Sequence, residues 1–150
     1  PSEGTVSIDD TAIGARRAQV AAELADHTIY ELLGGEAGIR RLVDTFYAVM
    51  DSDPAYGPLR RMHQPDLGPM RVSLFEYLSG WLGGPPLFVE RHGSPCISHA
   101  HQPFTIGAAA RDMWVDCMTQ AMDESGVQLR YREVLMPALE RMAEMMRNAD

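Results

Sequence analysis

The chain has 150 residues, of which 45% are hydrophobic and 23% charged, a composition typical of one globular domain with its own core. Its formal net charge of −8 argues against a nucleic-acid partner, because phosphate binding needs a basic surface. No apolar run approaches the roughly 20 residues needed to span a bilayer, so no membrane partner is expected.

The first 35 residues predict two helices. Residues 9–25 are rich in alanine, with acidic residues at the start, where they complement the helix dipole. In TIYELLGG (28–35), Thr28 and Glu31 are spaced as a capping box, and the two glycines indicate a helix end. The polar start PSEGTVSIDD does not resemble a signal peptide, and the two cysteines form no CxxC pair. Both features favour reduced thiols and a cytoplasmic location.

Two further helices are predicted in the middle of the chain. DSDPAYGP (51–58) ends the first of them, and Pro65 and Pro69 predict a turn-rich connection. A helix from Met70 is apolar nearly all round, which predicts a central position. GGPP (83–86) ends it. The first of these two helices, which precedes residue 51, carries an apolar stripe with helical spacing. The stripe is formed by Ile39, Leu42, Val43, Phe46, Tyr47 and Met50.

The last third predicts a loop followed by two helices. Residues 85–105 contain four prolines and little periodicity, so they are expected to be mainly loop with one helical turn near the histidines. A clear helix is predicted at 107–123. Another spans about 128–147, with Pro137 either kinking it or opening its second half. Because no segment has the alternating pattern of a strand, the predicted class is all-α.

The segment RHGSPCISHAHQPFTIG (91–107) contains three of the five histidines and one of the two cysteines. Zn²⁺ bound by His92, Cys96, His99 and His101 is one interpretation, although structural zinc sites usually join two separated ligand pairs. Solvated loop histidines without a ligand role are another. A third is that His101 alone binds iron, since an aromatic residue and then a helix carrying Trp114 follow it. A single imidazole beside an apolar wall is typical of a haem site, although any flat apolar ligand would also suit such a wall.

Six motifs in this chain resemble the group II truncated haemoglobins. They are FYAVM at 46–50, LRRMH at 59–63, GWLGGPP at 80–86, HG at 92–93, HQPFTI at 101–106 and RDMWVDCM at 111–118. The resemblance runs from about Thr28 to Met122. It implies a two-over-two helical sandwich around haem, with a loop in place of the proximal helix. Residues 1–27 lie outside it and are expected to form an extra helix, leaving 28–150 as the truncated globin domain.

The resemblance also assigns roles to individual residues. His101 corresponds to the proximal iron ligand, and Tyr47, Trp114 and His63 correspond to distal residues that stabilise a bound ligand. The family usually has arginine just before the proximal histidine, near a haem propionate. Ala100 stands there in this chain, so Arg91, His92 and His99 become candidate propionate partners. The expected haem contacts are Met70, Leu74, Tyr77, Phe88, Arg91, Phe104 and Ile106.

The expected function follows from this pocket. Donors at Tyr47 and Trp114 would slow the release of O₂, and a pocket that holds O₂ tightly suits NO or peroxide chemistry better than transport. Haem b is the expected cofactor, and O₂, NO and CO are the expected ligands. An unidentified reductase is an expected partner, and a homodimer is one alternative for the oligomeric state. The runner-up interpretation is a zinc-stabilised or metal-free helical interaction module, and the sequence does not decide whether the protein is an enzyme.

Overall fold

Helices form every regular element in residues 8–94 and 104–150, which are the residues that the computed structural model describes. The described part of the chain contains no strand, which confirms the all-α class. No helix within it has the length and apolar character needed to cross a membrane. The elements are α1 (Ile8–Leu24), α2 (Ile29–Leu32), α3 (Gly35–Ser52), a 3₁₀ turn (Pro54–Tyr56), α4 (Gly57–Arg61), α5 (Gly68–Trp81), α6 (Leu87–His92), α7 (Ala108–Glu124) and α8 (Leu129–Met146).

Helix α3 lies at the centre of the fold. All six residues of its predicted apolar stripe are buried, together with Val49. It packs against both α5 and α7, and α7 packs in turn against α8. The helices therefore form two pairs, α3 with α5 and α7 with α8, joined where α3 meets α7. This arrangement confirms the predicted two-over-two sandwich.

The start of α3 is defined by its connection to α2. Thr28 caps α2 as predicted, because its hydroxyl oxygen accepts a hydrogen bond from the Glu31 backbone N–H at 3.2 Å. Gly34 and Gly35 have φ values of 102° and 64°, a left-handed conformation that favours glycine. The two glycines reverse the chain after α2 and direct α3 into the core.

Four predictions between residues 54 and 92 are wrong in detail. Helix α4 lies in a segment expected to be only a break, and α6 is longer than the single turn expected there. Helix α5 begins at Gly68 rather than Met70, with Pro69 in its first turn, where proline loses no helical hydrogen bond. Helix α5 is also not central, since only Phe75, Leu78 and Ser79 are buried along it.

The N-terminal extra helix of the predicted fold is present as α1, and it packs against α8. Val20 is the most buried residue of this contact, with 1% of its surface exposed. Two ion pairs join the helices, Glu23 with Arg130 at 2.8 Å and Arg16 with Glu133. The division of the chain at residues 27 and 28 stays a prediction.

Helix α8 is continuous from Leu129 to Met146 with Pro137 inside it, so this proline does not open a separate second helix. Its buried residues face α7 and α1, and Arg147 ends the helix with extended backbone. The chain then turns towards the residues just before α7. Asn148 and Ala149 both donate backbone hydrogen bonds to the Ile106 carbonyl.

Candidate functional site

The contact between α3 and α7 brings together aromatic residues that the sequence places at the distal site. The Phe46 ring lies 5.0 Å from the Tyr47 ring and 5.6 Å from the Trp114 ring, measured between centroids. The centroid of the His63 imidazole lies 6.0 Å from that of the Tyr47 ring. We call these four residues the aromatic cluster. The structure therefore groups all three predicted distal residues around Phe46 and Tyr47.

Tyr47 is the most buried of the predicted distal residues, with 5% of its surface exposed. Its burial raises the pKa of the phenol well above its usual value, Cys117 adds to the increase, and the charge of Arg71 opposes it. The hydroxyl therefore stays protonated and is a donor at neutral pH. It makes no hydrogen bond to any residue in the described ranges.

His63 follows α4, and its ring orientation is set by the main chain. Nδ1 donates to the carbonyl of Leu59 at 2.8 Å, because a carbonyl oxygen only accepts. In the neutral ring the proton is then on Nδ1, and Nε2 is an acceptor. His63 differs in this respect from Tyr47 and Trp114, which present O–H and N–H donors.

Helix α5 forms one apolar wall of the site. Met70 and Leu74, one helical turn apart, are only half-buried, as are Tyr77 and Trp81 further along the helix. Large apolar side chains are usually buried in a folded protein. A continuous apolar face on α5 is therefore left incompletely covered by the described residues.

Helix α6 extends this wall. The Phe88 ring contacts Tyr77 edge-on, with 5.6 Å between centroids, and lies 4.3 Å from the His92 ring. A mostly apolar pocket of about 170 Å³ opens between α5 and α6. It is lined by Tyr77, Gly80, Trp81, Pro86, Phe88 and Val89.

The predicted contact Arg91 is held by an acid on α5. Its guanidinium donates to Glu76 Oε1 at 2.7 Å, while Glu76 Oε2 is buried without a hydrogen-bond partner among the described residues. Arg91 is therefore oriented across the α5–α6 contact, and any propionate would share it with Glu76. Sequence reasoning missed Glu76, and the signal for it was a single acid within an otherwise apolar helix.

Phe104 and Ile106, two further predicted site residues, lie just before α7. Phe104 is 46% exposed, whereas Ile106 is buried with 8% exposed. His101, the predicted iron ligand, lies outside the described residues. Cys96 and His99, two of the other zinc candidates, lie outside them as well.

Known proteins with the same helical arrangement identify the family. The family model for bacterial-like globins matches residues 28–148. The group 2 truncated hemoglobin YjbI of Bacillus subtilis (strain 168) is 39% identical over 79% of this chain and 87% of its own length.

The chain belongs to the group II truncated haemoglobins.

Solved structures agree with this assignment. The group II two-on-two hemoglobin of Agrobacterium tumefaciens superposes with a TM-score of 0.79 at 40% identity, covering 83% of this chain and 96% of that one. A truncated oxygen-avid haemoglobin from Bacillus subtilis superposes with a TM-score of 0.73 at 38% identity, covering 81% and 100%. As a member of this family, the globin binds haem iron and, through it, diatomic ligands such as O₂.

The described residues of this truncated haemoglobin fit a haem group. A porphyrin is a large flat apolar body, the half-covered face of α5 continues into Phe88 on α6, and Trp114 on α7 is half-buried as well. Polar hydrogen-bonding groups, the Tyr47 hydroxyl and the Trp114 indole, come from α3 and α7. This donor set favours haem, whereas all four zinc candidates would have to come from the one short segment at 92–101.

Proposed function

We propose that this truncated haemoglobin holds O₂ tightly in a distal pocket whose donors are Tyr47 and Trp114. His101 is the single protein ligand of the iron in this proposal, and haem b is the cofactor. The proposed haem contacts are Met70, Leu74, Tyr77, Phe88, Arg91, Phe104 and Ile106.

The observation that carries this proposal is the state of the Tyr47 hydroxyl. The Tyr47 side chain is buried, and its hydroxyl is protonated and makes no hydrogen bond in the described part of the chain. A donor on a buried side chain is usually hydrogen-bonded in native proteins, and leaving one without a partner is unfavourable, so the Tyr47 hydroxyl calls for a partner. A diatomic ligand in the pocket would give Tyr47 its partner.

Trp114 supplies a second donor beside the same aromatic cluster. Each net hydrogen bond contributes about 0.5–1.5 kcal/mol, and about 1.4 kcal/mol changes a rate or equilibrium tenfold. Two donors together would therefore slow O₂ release on the order of ten- to a hundredfold. The similarity to a haemoglobin described as oxygen-avid supports the same expectation.

Slow O₂ release suits redox chemistry better than O₂ delivery. When bound, haem would supply the iron for a diatomic ligand and the electrons for redox chemistry, one to convert O₂ and NO to nitrate or two to reduce peroxide to water. The chain's own residues would hold the ligand and exclude water around it. Repeated turnover would require a reductase as partner, and a homodimer remains a proposal for its oligomeric state.

Rates of O₂ dissociation test the proposal. We expect Tyr47→Phe and Trp114→Phe each to release O₂ about tenfold faster than the wild type, because each loses one donor. Tyr56→Phe is the matched control, since it also removes the hydroxyl of a buried tyrosine, but one that already donates to Gln120 at 3.0 Å. Equal rates in the wild type and both pocket variants would contradict the proposal. Nitrate formation when NO is added to the oxygenated protein tests the redox part separately.

A further inference from the structure

The C-terminal residues bind the segment that precedes α7. The side-chain amide of Asn148 bridges two backbone groups there: its Oδ1 accepts from Ile106 N–H at 2.8 Å, and its Nδ2 donates to the Phe104 carbonyl at 2.7 Å. The backbone N–H groups of Asn148 and Ala149 donate to the Ile106 carbonyl at 2.9 and 3.1 Å. We call these hydrogen bonds the C-terminal clamp.

Gly107 shows how closely the two segments approach each other. A Cβ atom at this position would lie 2.8 Å from the backbone oxygen of Asp150. The φ of Gly107 is −95°, which any residue adopts, so it is the space beside it that requires glycine. The clamp is therefore a close backbone-to-backbone contact and not a loose association of surface groups.

The clamped segment carries two of the proposed haem contacts. Ile106 is buried and Phe104 is partly exposed at the start of α7. His101 precedes Phe104 by three residues in the sequence, and three residues span at most about 11 Å. Fixing Phe104 therefore limits the region that the imidazole at position 101 can reach.

We propose that Asn148 is a positioning residue of this haemoglobin, which holds Phe104 and Ile106 in place and thereby sets how firmly the proximal side retains haem. This inference rests on the proposed role of His101. Asn148 touches no group of the proposed distal pocket, so it acts through the segment that it clamps. An amide suits this task because it accepts from one backbone group and donates to another at the same time.

The neighbouring ion pairs provide a matched control. Glu144 on α8 pairs with Arg147 at 2.9 Å and with Arg111 on α7. Arg147→Ala removes the first of these pairs next to Asn148 but leaves every hydrogen bond of the clamp. Exposed ion pairs of this kind contribute little to stability, so this variant should fold like the wild type.

Two measurements on three variants test the inference. In the haem-loaded protein, we expect Asn148→Leu to transfer haem to excess apomyoglobin about tenfold faster than the wild type. Asn148→Asp, which keeps the acceptor for Ile106 but loses the donor to Phe104, should be about threefold faster, and Arg147→Ala should be unchanged. In the haem-free chain, amide exchange at Ile106 should accelerate in Asn148→Leu alone, because only that variant removes the acceptor of this N–H.

Three outcomes would overturn it. The first is unchanged haem transfer in Asn148→Leu despite faster exchange at Ile106, which would make the clamp purely structural. The second is equal acceleration in Arg147→Ala, which would indicate general loosening at the end of α8. The third is unchanged exchange at Ile106, which would mean that the clamp does not hold this amide. A wild type that takes up no haem would instead contradict the proposed function itself.

Discussion

Two buried titratable side chains, Tyr47 and Cys117, show how position decides chemical role. Both have a raised pKa because burial disfavours their charged forms, and that of the Cys117 thiol rises to about 12. Cys117 already has a partner, the Phe46 carbonyl, to which its thiol donates at 3.5 Å, and it is fully buried. A thiol in this state is unreactive, since the thiolate is the nucleophile. Of the two groups, only the Tyr47 hydroxyl is left without a hydrogen bond by the described residues, which suits the ligand role proposed for it.

The close packing around Gly38 provides a prediction at the scale of single residues. A Cβ atom there would lie 1.8 Å from the Leu33 carbonyl oxygen, so Gly38→Ala must displace backbone where α2 meets α3. We expect it to lower the free energy of unfolding by about 1–3 kcal/mol, as overpacking does. Gly14→Ala in α1 is the matched control. Nothing lies within 4 Å of its Cβ position, so it should stabilise by about 0.5–1 kcal/mol. Urea unfolding measures the free energy of unfolding of both variants. If the two substitutions change it in the same direction, the prediction is wrong.

The residues of the site differ in how far sequence could identify them. Tyr47 and Trp114 were recognisable because family motifs surround them, although each alone also fits a core position. Asn148 carried no signal, because its partners lie 42 and 44 residues away and no local pattern encodes such a contact. Sequence therefore suggests the proposed ligand donors, but it misses contacts such as those of Asn148, whose partners are distant along the chain.

At the scale of the elements, helices with a full apolar stripe were predictable and short helices were not. The stripe of α3 and the caps of α2 follow from spacing alone. Helix α4 and helix α6 have five and six residues, too few to show a period, and prolines lie at their starts. A proline in a sequence is usually interpreted as a helix breaker, but proline is well accommodated in the first turn of a helix.

The contact of α1 with α8 provides the second prediction. Val20 faces α8 and is almost fully buried, whereas Gln19 beside it is exposed. We expect Val20→Ala to lower the free energy of unfolding by about 2 kcal/mol through lost burial and a small cavity. Gln19→Ala should change it by less than about 0.5 kcal/mol. If thermal unfolding is the same for both variants, α1 does not pack stably on residues 28–150.

At the scale of the whole molecule, the incompletely covered apolar face of α5 connects the fold with the proposed function. The two helix pairs bury the apolar stripe of α3 and four residues of α7, yet α5 keeps a half-covered apolar face next to α6. Such a face exposes apolar area that a bound group would remove from water, at about 25 cal/mol per Å². Haem binding should therefore be coupled to the stability of the fold.

This coupling can be measured as a shift in melting temperature. A ligand that binds the folded chain alone stabilises it by about 2.7 kcal/mol at 100 times its dissociation constant. For a domain of this size, that stabilisation raises the melting temperature by roughly 5–10 °C or more. We expect haem-loaded wild type to melt higher than the haem-free chain by at least this amount, and His101→Ala to lose most of the difference.

His27→Ala is the matched control, because His27 is exposed and pairs only with Glu31 among the described residues. Equal melting temperatures with and without haem would mean that the α5 face is not the haem wall. A full shift in His101→Ala would place the iron ligand elsewhere in the chain.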